Sequence, residues 1–253
     1  MRPLIAKIKP AKGFSKWLYI ALNVLLPVLA FMFVTWDFVS LAFATILLSK
    51  WRMFAVRPRF WPTHIRANAV DIIVGVSLLL FMISSGSLAV RLLWTGLYVV
   101  WLVVIKPATS TLVVSGQALV ALVSGLMAIF VAWGDLPLGV LVISSGLICY
   151  LSAHHFFDSF DEPYARLLSS MWGYFGAAMV WVLAHWLLYY GIIAQPVLLL
   201  VAIGCGLATL YYLDHNDKLS QNAQREVVFI MIAIVSIILG HAAIVGLWRD
   251  KIV

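Results

Sequence analysis

Apolar residues fill almost the whole chain in long blocks, and short polar segments separate the blocks. A helix that crosses a bilayer needs roughly 20 predominantly apolar residues, and a window of that length divides the chain into nine blocks. The predicted spans cover residues 17–34, 38–56, 67–84, 88–105, 111–133, 137–153, 167–191, 196–213 and 226–247. The pattern therefore predicts an all-α fold, a polytopic transmembrane helix bundle of about nine spans in one domain.

The first span follows a basic segment, residues 1–16, which contains lysines and arginines and no acid. That order resembles a signal sequence, but Thr35, Trp36 and Asp37 follow the apolar run where a cleavage site would need small residues. We therefore expect an uncleaved helix. One continuous helix over residues 17–49 would be about 50 Å long against a hydrocarbon core of about 30 Å. Two helices in a tight hairpin are predicted instead, and a re-entrant second span would make the number of crossings even.

The composition supports the membrane assignment, with 64% hydrophobic and only 11% charged residues. Soluble domains carry about 25% charged residues, so this chain lacks the charge to cover a surface that faces water. A soluble domain is therefore excluded.

The formal net charge of +7 indicates orientation, because basic residues collect in short cytoplasmic loops. With the N-terminus inside and the C-terminus outside, fourteen of the seventeen basic residues fall in cytoplasmic segments. They are Arg2, Lys7, Lys9, Lys12, Lys16, Lys50, Arg52, Arg57, Arg59, Arg66, Lys106, Arg166, Lys218 and Arg225. The expected location is a cytoplasmic membrane. The expected contacts are the bilayer and anionic lipid headgroups, with no nucleic acid.

The most polar cytoplasmic loop reads AHHFFDSFDEPYAR over residues 153–166. If the sixth span continues as a helix, residues three and four apart share a face, and imidazoles with carboxylates are a plausible set for a divalent metal or for acid–base chemistry. The candidate residues are His154, His155, Asp158, Asp161 and Glu162. The spacing matches no known metal motif, and the same loop is equally consistent with a solvated turn.

The basic run KWRMFAVRP begins at Lys50 and fits the K-x6-R-P element of the type 2 phosphatidic acid phosphatases. That family also needs further motifs, which this chain lacks, so the similarity covers about a dozen residues. The residues that we expect to bind an anionic substrate or lipid are Lys50, Arg52, Arg57 and Arg59.

Polar and aromatic groups inside the spans suggest a cavity or helix interfaces. His185 and His241 are predicted at a similar depth, where they could ligate a metal or haem, relay protons, or bond a neighbouring helix. The full set of predicted cavity residues is Trp94, Trp101, Gln117, Trp181, His185 and His241. Asp71 lies in an early turn of its span, where a carboxylate suits the helix dipole. No cofactor is predicted.

Residues 49–70, SKWRMFAVRPRFWPTHIRANAV, together with SFDEPY at residues 159–164, resemble a family of uncharacterised bacterial polytopic membrane proteins. The resemblance implies a bacterial inner membrane and no particular activity.

Two function classes remain open. The first is a secondary or passive transport protein or a membrane-partner protein, because the chain has no phosphate-binding loop and would need a partner subunit for ATP-driven work. A protein of this class could also act as a homo-oligomer. The second is a membrane-embedded enzyme that acts on a lipid or lipid-linked substrate at the cytoplasmic face. It would use the acidic loop and the basic run, and they would have to meet around a pocket.

Overall fold

The computed structural model describes residues 13–134 and 136–249 and consists of helices with one short β-hairpin. The predicted basic segment falls mostly on residues 1–12, which lie outside the described residues. The α-helices are α1 Phe14–Thr35, α2 Val39–Leu48, α3 Trp61–Ala67, α4 Ala69–Ser84, α5 Leu88–Val100, α6 Thr111–Trp133, α7 Leu138–Asp158, α8 Ala165–Leu183, α9 Gln195–His215 and α10 Gln221–Arg249.

Six of these helices, α1, α5 with its continuation, α6, α7, α9 and α10, are long and apolar enough to cross a membrane. A seventh candidate is the pair α3 and α4, which is bent by 65° at the break between the two helices. The fold is therefore a helical bundle with the character of a membrane-embedded protein. α2 has only 10 residues, and α8 carries Arg166 and several small or polar residues. Length and composition thus support six or seven spans.

Two predicted spans differ in outline from the helices. The second, residues 38–56, becomes α2 followed by 3₁₀ turns at Trp51–Met53 and Pro58–Phe60. The seventh, residues 167–191, becomes α8, a 3₁₀ turn at Ala184–Trp186 and the start of a hairpin. After α8 an apolar run continues although the helix has ended, so hydropathy alone could not locate that end.

The core is built around α4 and α6, which pack against each other near the middle of the bundle. One buried cluster joins α4 to α1, α2 and α5. A second joins α6 and α7 to α8 and α9. α10 packs mainly on α9 and is little buried, so it forms the edge of the described bundle.

Small residues let α7 and α8 approach closely. A Cβ on Gly146 would lie 3.0 Å from Cβ of Ala177, and one on Gly176 would lie 2.5 Å from Sγ of Cys149. Any larger side chain at these glycines would push the helices apart. This contact sets the short distance between α8 and the middle of α7.

The hairpin pairs strand β1, Tyr189–Tyr190, with strand β2, Ile193–Ala194. Gly191 adopts a φ of 65° in its turn, a conformation that glycine reaches without strain. The hydroxyl of Tyr190 donates to the carbonyl of Ile238 at 2.7 Å and so ties the hairpin to α10.

Candidate functional site

A buried carboxylate, Asp71, forms the centre of the most polar site inside the bundle. Its Oδ1 accepts a hydrogen bond from Nε1 of Trp101 at 3.0 Å. Its Oδ2 accepts from Nζ of Lys106 at 2.6 Å and also from Nζ of Lys50. Asp71 and Lys50 are both buried, whereas one third of the Lys106 side chain is exposed. We call these four residues the Asp71 cluster.

Three interruptions of helical structure bring the cluster together. α2 ends at Leu48, two residues before Lys50. The 65° break between α3 and α4 precedes Asp71. α5 passes into a π-helical turn at Trp101–Ile105, and Lys106 is the residue that directly follows this turn.

The π-helical turn has a specific effect on geometry. The amide of Lys106 donates to the carbonyl of Trp101 at 2.8 Å. The acceptor thus lies five residues before the donor, one residue further than in an α-helix. In an α-helix, residues five apart point to different sides. The wider turn stacks Lys106 over Trp101, so both side chains reach the same carboxylate. Turns of this kind are rare and occur often at functional sites.

The cluster lies at one end of α4 and of the continued α5. Asp71 is the third residue of α4, 13 positions before Ser84, and Lys106 directly follows the π-helical turn. Asp71 and Lys50 are nevertheless buried between helices, and buried charges are costly unless they are paired.

A further polar group, the hydroxyl of Tyr98, lies beside the cluster. Tyr98 is fully buried, and its hydroxyl has no hydrogen-bond partner among the described residues. It lies 2.8 Å from the position that a Cβ on Gly75 would occupy. Gly75 is one helical turn after Asp71, so the missing side chain makes room for the hydroxyl on the cluster's inner side.

A second polar site lies where α6 begins and α7 ends. Nε2 of Gln117 donates to the carbonyls of Ile105 and Ala108, at 2.7 and 3.2 Å, and thereby fixes the turn that follows Lys106. Its Oε1 lies 3.1 Å from Nε2 of His155. Beside this pair is an open cleft of about 320 Å³ that Asp158 also lines.

The residues of the predicted acidic site are therefore only partly brought together. His155 and Asp158 line the cleft. The ring of His154 packs against that of Tyr150, and Asp161 adopts a left-handed backbone in the loop. Glu162 accepts a hydrogen bond from the hydroxyl of Tyr211 at 2.5 Å. Within the described ranges, no group of three or more His, Cys, Asp or Glu side chains could hold a metal ion.

The predicted anion-binding residues also separate. Lys50 turns inward to Asp71, whereas Arg57 and Arg59 are exposed. The guanidinium of Arg59 lies over the ring of Phe60, 4.5 Å from its centroid. The side chain of Arg52 is outside the described part of the structure.

The predicted cavity residues do not line one cavity. Trp94 packs on Phe81 and Trp101 joins the Asp71 cluster, while Gln117 belongs to the cleft. Trp181 is exposed and contacts His185 on its own helix turn. His241 contacts Tyr190 of the hairpin. His185 and His241 thus have separate aromatic partners.

The sequence alone does not reveal the contact between Asp71 and Lys106. In the sequence, Asp71 suits the helix dipole and Lys106 is one of several cytoplasmic charges. One signal was present: Asp71 is an acid within an apolar run, and lysines stand at the ends of two other predicted spans on the same side. Pairing it with Lys50 and Lys106 would have followed from the rule that buried charges are paired.

No protein-family model matches the chain, and no curated protein and no solved structure matches it.

Proposed function

We propose that the protein is a secondary or passive transport protein, with the Asp71 cluster as its polar centre. The observation that carries this proposal is the convergence of three helix interruptions on one buried, charged site. Transporters commonly place their substrate and ion sites where helices are broken within the membrane, because the interruption frees polar groups to face a ligand. A purely structural ion pair would not need a break in each contributing helix.

The proposed topology has nine crossings in a bacterial inner membrane, with the N-terminus inside. The paired contacts support one common side for several segment ends. Lys50, Asp71 and Lys106 meet at the end of α2, the start of α4 and the end of α5. Gln117 meets His155, and Glu162 meets Tyr211, at the adjoining ends of α6, α7 and α9. In this arrangement α2 makes the second crossing together with the residues that follow it, since the ten residues of α2 extend only about 15 Å.

The segment between α2 and α4, residues 51–67, is proposed to lie along the cytoplasmic surface and to contact anionic lipid headgroups. Its aromatic side chains Trp51, Phe54 and Trp61 are exposed, and so are Arg57 and Arg59. α3 is bent 65° away from α4, which favours a course close to the membrane plane. Amphipathic segments with tryptophan and arginine settle at the interface between lipid and water.

The alternative is an enzyme that acts on a lipid or lipid-linked substrate at the same face. It is supported by the cleft beside His155 and Asp158. It is less well supported than transport, because Lys50 is committed to Asp71 and the other described arginines of the basic run face outward. A membrane-partner role is consistent with the exposed apolar face of α10.

The transport proposal is tested in proteoliposomes on a solid-supported membrane. Transient currents are recorded as a panel of carboxylates, phosphate, amino acids and sugars is applied, with parallel uptake of labelled solutes to detect electroneutral movement. We expect at least one solute to move with the wild-type protein and not with Asp71→Asn. The matched control is Asp37→Asn, since Asp37 is exposed and its left-handed φ of 60° suits asparagine. Equal transport by Asp71→Asn and Asp37→Asn would overturn the assignment of the site, and no movement of any solute would overturn transport.

A further inference from the structure

We infer that the Asp71 cluster binds one anionic group, a carboxylate or a phosphate, through Lys106 and Lys50. The inference rests on the proposed function and names the substrate class of the same site. It also holds for an anionic lipid headgroup, which presents the same phosphate chemistry to the lysines.

Charge is the first argument. Two ammonium groups share one carboxylate, so the cluster has one positive charge in excess. Among the described residues, Asp71 is the one carboxylate paired with either lysine. One third of the Lys106 side chain is exposed, so this excess charge is only partly solvated, and its buried part favours a counter-charge. A monoanion would complete the neutralisation.

Hydrogen-bond capacity is the second argument. Each ammonium group has three donors, and the recorded acceptor of both lysines in the described part of the chain is the same oxygen, Oδ2 of Asp71. The hydroxyl of Tyr98 is a further buried polar group beside the cluster, and it has no partner among the residues that the structure describes. The site thus has more N–H donors than acceptors, and both oxygens of the Asp71 carboxylate already accept hydrogen bonds. This inventory suits an acceptor-rich ligand and disfavours a cation.

Access is the third argument. Lys50 is almost completely buried, but one third of the Lys106 side chain is exposed. The turn after Lys106 leads directly to Ala108 and Thr109, which line the open cleft. Because Lys106 is the more exposed of the two lysines, it is the first group of the cluster that an anion would meet, and Lys50 is the second.

The test measures thermal unfolding of the purified full chain. In neutral detergent, inorganic phosphate and acetate are titrated against sodium chloride of equal ionic strength. In nanodiscs, phosphatidylcholine is compared with mixtures that contain phosphatidylglycerol. The variants are Lys106→Gln, Lys106→Arg and the matched control Lys218→Gln, which removes an exposed charge from the loop between α9 and α10.

We expect the wild-type protein, Lys106→Arg and Lys218→Gln to be stabilised at similar anion concentrations. Lys106→Gln should need about tenfold more anion or more, because it loses a charge-assisted hydrogen bond. Asp71→Asn, which raises the excess charge to two, should bind more tightly. If Asp71→Asn does not fold, the comparison of Lys106→Gln with Lys218→Gln still decides the question.

Stabilisation by phosphate or acetate would identify a soluble anion, and stabilisation by phosphatidylglycerol alone would identify a lipid headgroup. Both results support the inference when Lys106→Gln weakens them. It is overturned if no anion stabilises the wild-type protein, or if Lys106→Gln responds as Lys218→Gln does. Anion binding without any transport would leave this inference standing and remove the proposed function, so the two failures are distinguishable.

Discussion

Nε1 of Trp101 lies 3.0 Å from Oδ1 of Asp71 and donates a hydrogen bond to it. Both lysines bind the other oxygen, Oδ2, so each oxygen of this carboxylate has a donor. This contact depends on the π-helical turn, which keeps Trp101 and Lys106 on one side of the chain. The indole is itself buried, and its N–H would otherwise lack an acceptor.

Trp101→Phe should destabilise the protein by about 1–3 kcal/mol, because it leaves one oxygen of a buried carboxylate without its donor. The measurement is the free energy of unfolding in detergent. Trp94→Phe is the control, since Trp94 meets Phe81 through ring packing. Equal losses in the two variants would show that the indole matters only for its volume.

Asp71→Ala should be far more harmful, with a loss of about 3–5 kcal/mol, because Lys50 would remain buried and unpaired. The double variant Asp71→Leu/Lys50→Met should recover much of that loss, since Lys106 is partly exposed and can turn towards the surface. Chemical denaturation of the purified protein measures both. If the double variant is as unstable as Asp71→Ala, the loss does not come from an unpaired charge.

Gln117→Leu should loosen the turn at residues 105–110, because the side-chain amide donates to two carbonyls there. Hydrogen exchange at the amides of residues 106 and 108–110 should speed up by about tenfold or more, which corresponds to the loss of one or two hydrogen bonds. Ser115→Ala serves as the control, since the Ser115 hydroxyl bonds within its own helix to Thr111. Unchanged exchange in this turn would contradict the assigned role of Gln117.

Gly176→Ala should destabilise the contact between α7 and α8 by about 1–3 kcal/mol, because the new Cβ would lie 2.5 Å from Sγ of Cys149. Adding Cys149→Ala should recover part of the loss. Gly96→Ala is expected to act in the opposite direction and to stabilise by up to about 1 kcal/mol, since nothing lies within 4 Å of that position. Thermal unfolding of the three variants and the wild-type protein tests the set, and a neutral Gly176→Ala would refute the close approach.

Hydropathy located the long helices closely where the apolar run and the helix end together. The predicted span at residues 111–133 coincides with α6, and Ser110 at its start accepts a hydrogen bond from the amide of Val113, as expected for an N-cap. α7 extends to Asp158, beyond its predicted end at residue 153, because the helix continues into the polar loop.

The interruptions were harder to predict, because each is fixed by contacts between distant parts of the chain. Lys50 reads as a headgroup-facing residue in sequence, and only its partner at position 71 draws it inward. The residues Trp101–Ile105 are apolar and suit an ordinary helix, so the local sequence does not predict the π-helical turn. The Asp71 cluster could not be predicted for the same reason.

The order of the Asp71 cluster along the chain has a consequence for biosynthesis. Translocon-mediated insertion of a lone aspartate or lysine in a span is unfavourable, most strongly at the helix centre and less so near its ends. Lys50 emerges from the ribosome 21 residues before Asp71, so α4 can leave the translocon with its acid already neutralised by the preceding hairpin. Lys106 arrives later and finds a carboxylate in place. Assembly of the first half of the bundle is therefore expected to be sequential, with each new charge entering the membrane beside its counterpart.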